Sequence, residues 1–195
     1  EADPLRPGDP TARFFDDLSL SWDARHDLEA LAGQLAAGLD DLSVGPDETV
    51  LDVGCGTGNL TRALVERLSA AGRVVALALA PAMVAAARRK LPDARVHWQV
   101  ADVTRLPLPA ESVDRVLCFS VWPHFDEPLV AARELGQRAL RERQAHHRGP
   151  AKQQSLFGRK LVEPGGDGAL EGRRNPDRLL VIDQKLSVLA LESHC

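Results

Sequence analysis

The chain has 195 residues and 44% hydrophobic content, enough for one domain with a buried core and an appended segment. Its net charge of −4 argues against nucleic acid as the default partner, and no apolar run approaches the length of a membrane span. Three scattered cysteines, Cys55, Cys118 and Cys195, form no C-x-x-C pair, so neither a zinc site nor a disulfide framework is signalled and a reducing, cytoplasmic setting fits.

The net charge hides an asymmetry. From Arg141 onward there are 10 Lys/Arg and 7 Asp/Glu, a balance of +3, which leaves 14 and 21, a balance of −7, for the residues before it. The chain opens at Glu1 rather than Met, as a processed or trimmed chain does, and no charged-then-apolar signal segment follows.

In chain order, Glu1 to Pro10 is polar, with three prolines, and reads as disordered. Phe14, Phe15, Leu18 and Trp22 recur at broken helical spacing, and Leu28, Leu31, Leu35 and Leu39 define an amphipathic helix that Val44-Gly45-Pro46 stops. Val50 to Val53 reads as a strand, and Asn59 to Ala70 as a helix with Leu60, Leu64 and Leu68 on one face. A buried strand over Val74 to Leu79 leads to Pro81, which opens a helix running to Leu91. Strands over Val96 to Val100 and Val113 to Val121 follow, then a helix from Pro128 to about Arg143. Strands alternating with helices imply an α/β fold, a parallel sheet covered on both faces with right-handed crossovers. The expected organisation is an N-terminal helical segment over 1–45, a core over 46–140 and an atypical tail over 141–195 open to disorder, in which only Leu179 to Ile182 and Leu186 to Leu191 look element-forming.

The run Val50-Leu51-Asp52-Val53-Gly54-Cys55-Gly56-Thr57-Gly58-Asn59-Leu60 carries the most information. An apolar strand ends in three glycines and a helix begins at once, so a ligand can approach the backbone and the helix start offers unpaired N–H groups. A dinucleotide fingerprint needs its third glycine three positions after the second, where this chain has Asn59, so a nicotinamide dehydrogenase is disfavoured. Ligands of doubly wound sheets lie at the carboxyl ends of the strands. The candidates there are the glycine turn, Ala78 and Leu79 after the second strand, Asp102 after the third, and Phe119 to Trp122 after the fourth.

The run VLDVGCGTGNL resembles motif I of the class I S-adenosylmethionine-dependent methyltransferases. The likeness extends over Phe14 to Leu140, through ARFFDDLSLSWD, RVVALALAPAMVAAARRK and VADVTRLPLPAESVDRVLCFSVWPHFDEP. The resemblance implies a Rossmann-like doubly wound sheet, S-adenosylmethionine as cofactor and methyl transfer to a small-molecule acceptor, with no nucleic-acid or membrane partner. It puts Gly54, Cys55, Gly56 and Gly58 against the amino acid part of the cofactor. Asp52 then orders the loop or meets the ammonium group. Asp102 accepts the adenine amino group with Val103 beside the ring, and Phe119 and Ser120 lie along the methyl side. His124 matches the second histidine of a frequent His-His-Phe motif, with Pro123 in place of the first. A histidine there can act as base, because imidazole exchanges protons near neutral pH; the alternative is a surface histidine. Cys55 and Cys118 read as small packing residues rather than nucleophiles, and His146-His147 lacks companion ligands at metal spacing.

Two departures stand out. The family acid that holds the ribose hydroxyls falls on Ala78, with Leu79 next to it, and no Asp or Glu occurs from Arg67 to Pro92. That implies weak cofactor affinity, or a degenerate copy that binds without catalysis. The second departure is the tail. Where the family continues into a Pro-Gly-Gly turn and a fifth strand, this chain reads Arg143-Gln144-Ala145-His146-His147-Arg148. A GC-rich run encoding Gly-Gly-Arg-Leu-Thr-Ile-Ala gives that sequence one nucleotide out of step. The open readings are a frame change or alternative ending near Arg141, and a lineage-specific insertion followed by a replacement strand in Asp177-Arg178-Leu179-Leu180-Val181-Ile182-Asp183.

Overall fold

A computed structural model describes residues 8–139 and two strands, 178–183 and 187–192. The readings of the other residues, including His146-His147 and the segment suspected of a frame change, lie outside the described residues.

The N-terminal segment forms α1 (Pro10–Leu18), a 3-10 turn (Asp23–Arg25) and α2 (Leu28–Asp41). Both helices begin on an aspartate. Asp9 accepts from the N–H groups of Thr11 and Ala12, and Asp27 from those of Glu29 and Ala30, which satisfies helix donors that have no partner within the helix. The core follows as β1 (Thr49–Val53), α3 (Asn59–Arg67), β2 (Arg73–Ala78), α4 (Pro81–Lys90), β3 (Val96–Val100), β4 (Arg115–Phe119) and α5 (Pro128–Arg138). The final strands are β5 (Arg178–Asp183) and β6 (Ser187–Glu192).

The strands form one sheet in the order β3-β2-β1-β4-β5-β6. The first four are parallel, with Val50 opposite Val74 and Arg115, and the order reverses beside β1. The sheet is not wholly parallel as expected: β5 runs antiparallel to β4, with Val116 opposite Ile182, and β6 antiparallel to β5. The replacement strand read from the tail is therefore present on the flank of β4, and β4 is not an edge. The fourth strand is also shorter than its apolar run, because Val113 contributes only an isolated bridge to Ala139.

Alternation along the strands divides the core. Val50, Val74, Ala76 and Leu117 face a cluster with Leu35, Leu39, Leu60 and Leu64 of α2 and α3. Leu51, Val53, Leu77, Val116 and Cys118 face a second cluster with Leu135. The base of β1 is tied to β4 by charge and backbone together. Arg115 makes a two-bond ion pair with Glu48 at 2.8 and 2.9 Å, and Asp114 accepts from the Thr49 N–H at 2.8 Å.

Candidate functional site

Beyond β1 the chain takes positive φ at Gly54 (71°), Gly56 (51°) and Gly58 (83°). The three glycines serve different ends. A Cβ on Gly54 would lie 2.2 Å from Val121 Cγ2, and one on Gly58 would lie 3.1 Å from the Trp98 ring and 3.2 Å from Ala87 Cβ. One on Gly56 would meet nothing nearer than the Gly54 carbonyl at 4.0 Å. Gly54 and Gly58 allow close packing, whereas Gly56 presents bare backbone to open space. The Gly54 and Cys55 N–H groups both donate to Leu77 O, at 2.8 and 2.9 Å, which fastens the turn to β2.

Asp52 is 1% exposed, and its Oδ2 accepts from Thr61 Oγ1 at 2.5 Å. The pleat turns it toward α3, so the acid lies beneath the turn. Burial pushes its pKa up to about 7 against the hydrogen bonds from Thr61. Burial, reinforced by the charge on Asp52, also raises the pKa of the Cys55 and Cys118 thiols, and thiols held protonated are poor nucleophiles.

A cavity of about 240 Å³ opens at the carboxyl ends of β1, β2 and β4 and of the chain leaving β3. Asp52, Gly54, Cys55 and Gly56 line it from the turn, Ala78 and Leu79 from β2, Asp102 and Val103 beyond β3, and Phe119 and His124 from the β4 side. Gly58 and Trp122 are the sequence candidates not on the wall: Gly58 caps α3 and faces Trp98, and Trp122 packs against the second cluster beside Phe125. Asp102 Oδ1 accepts from the N–H and the hydroxyl of Thr104, at 2.8 and 2.7 Å, while Oδ2 accepts nothing among the described residues. Ala78 is 7% exposed and brings no acceptor side chain to its position.

Sequence reasoning missed the N-terminal wall. Asp9, Thr11, Phe15, Trp22 and His26 all face the cavity. The Phe15 ring meets Trp22 and His124 edge-on, with centroids 5.7 and 5.0 Å apart, and His26 Nδ1 lies 2.9 Å from Trp22 O. The broken spacing of these aromatics reported a helix but not the face it covers. A second missed contact is Asp16 Oδ1, which accepts from the Ala82 N–H at 2.7 Å. It satisfies the start of α4, where Ala80 stands as a cap with no side-chain acceptor. The partners are 66 residues apart, and no local pattern connects them.

A strand order that reverses beside β1, a glycine turn leading into α3 and a cavity at the carboxyl ends define a doubly wound cofactor-binding domain. Residues 50–143 match the family model described as a methyltransferase domain. The malonyl-[acyl-carrier protein] O-methyltransferase of Serratia marcescens is 38% identical over 109 residues, which is 56% of this chain and 39% of that protein. The trans-aconitate 2-methyltransferase of Azoarcus sp. is 38% identical over 104 residues, 52% of this chain and 40% of its own length. The solved SAM-dependent methyltransferase of Aquifex aeolicus superposes with a TM-score of 0.50 at 26% identity, covering 72% of this chain and 69% of that one. The chain thus spans about two fifths of the curated relatives it matches. The chain carries a methyltransferase domain, matched over residues 50–143, whose described part has the class I fold, and S-adenosylmethionine is the cofactor of that class.

Proposed function

We propose that this chain transfers a methyl group from S-adenosylmethionine to a small-molecule acceptor. The observation that carries the proposal is the open side of Gly56, where backbone without a Cβ faces a cavity that also holds Asp52 and Asp102. The residues fit the cofactor at both of its ends. Asp52 can meet an ammonium group beside the turn, and the uncommitted Oδ2 of Asp102 can accept from the adenine amine. Val103 and Phe119 supply apolar walls. The fit is poorer in the middle, where Ala78 offers the ribose no acceptor.

The sulfonium of the cofactor supplies an already activated methyl group. The work left to the protein is alignment of donor and acceptor and, for acceptors that must lose a proton, a base. We assign that proton to His124; the support is that it faces the cavity beside Phe15. The relatives' names give malonyl-[acyl-carrier protein] and trans-aconitate, two different acceptors, so the domain resemblance supports the reaction and not one acceptor.

Titration calorimetry with S-adenosylmethionine and with NAD tests this reading. Heat of binding with the first alone is the expected result; binding of NAD, or of neither, overturns it. Ala78 favours a second reading, a methyltransferase-fold module that binds the cofactor weakly and does not catalyse. Cofactor binding without methyl transfer across a panel of acceptors would select it.

A further inference from the structure

One carboxylate joins three parts of the molecule that the cofactor reading treats separately. Asp23 begins the 3-10 turn that follows Trp22, so it belongs to the segment that walls the cavity with Phe15, Trp22 and His26. Its Oδ1 accepts from Thr57 Oγ1 at 2.6 Å and from Asn59 Nδ2 at 3.2 Å. Its Oδ2 accepts from Lys90 Nζ at 2.9 Å, and Lys90 also donates to Asn59 Oδ1 at 2.9 Å. Thr57 is 3% exposed and stands between the two positive-φ glycines, Gly56 and Gly58, while Lys90 is the last residue of α4. The bonds therefore close a ring through the N-terminal wall, the glycine turn, the first residue of α3 and the end of α4.

Burial alone would raise the pKa of Asp23, but the hydrogen bonds from Lys90, Thr57 and Asn59 outweigh it and hold the group below the usual carboxylate range. The charge is thus kept at neutral pH, and charge-assisted bonds are the stronger kind. The ring also gives Asn59 a purpose. At the position where a dinucleotide fingerprint needs a bare glycine, this chain holds a side chain that donates to Asp23 and accepts from Lys90.

From this geometry we infer that Asp23 is a positioning residue that couples closure of the N-terminal wall over the cavity to the ligand-binding shape of the glycine turn. The turn holds three residues at positive φ, so its free form has alternatives to fall into. With Asp23 docked, Thr57 is fixed and Gly56 faces the cavity. When the wall lifts, Asp23 leaves with it and the turn loses its anchor. A ligand that prefers the ordered turn must then also favour the closed wall, and to the same extent, because coupling between two sites is reciprocal. The inference rests on the cofactor reading for the identity of the ligand, but not for the coupling itself.

The test combines hydrogen exchange with binding of S-adenosylhomocysteine, for the parent chain, Asp23→Ala, Asp23→Asn and Lys90→Met. In the parent, the ligand should slow exchange across residues 10–25 as well as 54–59. In Asp23→Ala, affinity should fall about tenfold, and protection of 10–25 by the ligand should disappear even where the turn is still protected. Asp23→Asn retains an acceptor for Thr57 and should recover part of both effects. A residue that merely stabilises the fold would lower the unfolding midpoint without uncoupling the two segments. Should Asp23→Ala fail to fold, Lys90→Met is read in its place, with the same loss of coupling expected at smaller size. Parent-like affinity with undiminished protection of 10–25 would overturn the inference. A parent chain that does not bind S-adenosylhomocysteine would count against the cofactor reading alone. The coupling would then be judged without ligand, where faster exchange of the Gly58 amide in Asp23→Ala supports it and unchanged exchange refutes it.

Discussion

The side chain that Gly54 lacks would collide with Val121, at 2.2 Å between its Cβ and Cγ2. The end of β1 and the chain leaving β4 are in direct contact there, and this closes the floor of the cavity. Gly56, two residues on, meets no such neighbour. The two glycines should therefore fail differently. Gly54→Ala adds overpacking to a positive-φ strain and should cost about 2–5 kcal/mol of stability. Gly56→Ala carries only the strain, about 1–2 kcal/mol, and should fold yet bind S-adenosylhomocysteine poorly. Urea unfolding and calorimetry on both variants check the pair. Parent-like affinity in Gly56→Ala would remove the turn from the binding site.

Asp52 should make both stability and cofactor binding depend on pH, in opposite directions. Its pKa is about 7 in the folded chain against an ordinary 3.8. Between those values the folded state holds the proton and the unfolded state does not, so stability falls as pH rises through that window and levels off above it. Binding of an ammonium group needs the ionised form, so cofactor affinity should instead weaken below about pH 7, by up to roughly tenfold per pH unit. Asp52→Asn keeps an acceptor for Thr61 and should flatten both slopes. Affinity measured from pH 5.5 to 8.5 decides the matter; an unchanged slope in the variant assigns the titration to another group.

The core was legible because periodicity and punctuation agreed. Val96 to Val100 appears as read, and the helices of α2, α3 and α4 begin at or within a residue of the expected positions. The cavity wall was legible wherever a strand end fixes a residue's place: Asp52, Ala78, Asp102 and Phe119 all face one cavity. Contacts between distant segments were not legible. Asp16 reaching Ala82, and Asp23 reaching Thr57, Asn59 and Lys90, are side-chain contacts made by an N-terminal segment whose docking leaves no periodic trace. Ends of elements were misplaced for a related reason. The α3 pattern continues to Ala70, but the chain turns extended at Leu68, whose burial against the core outweighs its helical propensity.

Asp102 should select adenine over hypoxanthine. Its Oδ1 is committed to Thr104, and the remaining carboxylate oxygen can only accept. An exocyclic amine satisfies it, whereas the oxygen of the deaminated base repels it. A charged hydrogen bond is worth about 1.5–3 kcal/mol, so S-adenosylhomocysteine should bind at least tenfold more tightly than its inosine analogue. Asp102→Asn presents a donor or an acceptor and should narrow the gap. Competition titrations with the two ligands measure it, and equal affinities for the parent would end this assignment.

Ala78 should limit cofactor affinity. It lies at the end of β2, where its carbonyl accepts from the Ala101 N–H at 3.1 Å and fixes the approach of β3, but its methyl group offers a ribose nothing. Asp16 does not line the cavity and gives one oxygen to the Ala82 N–H, while Asp102 keeps one oxygen for the base. Ala78→Asp would place a carboxylate against two hydroxyls of a ligand already held at the glycine turn. Charge-assisted bonds of about 1.5–3 kcal/mol each set the upper limit. Burial of the new charge and repulsion from Asp52 and Asp102 reduce it, leaving a net gain of roughly 2–4 kcal/mol, or about 30- to several-hundredfold in affinity. Ala78→Asn separates the contributions, since it keeps one acceptor without the charge and should recover a smaller part. S-adenosylhomocysteine affinity for the three chains at one ionic strength gives the answer. A gain in Ala78→Asp together with methyl transfer absent from the parent would identify the missing acid as the reason this chain is weak. No gain in either variant would place the ribose away from β2 and refute the registration of this strand with the cofactor.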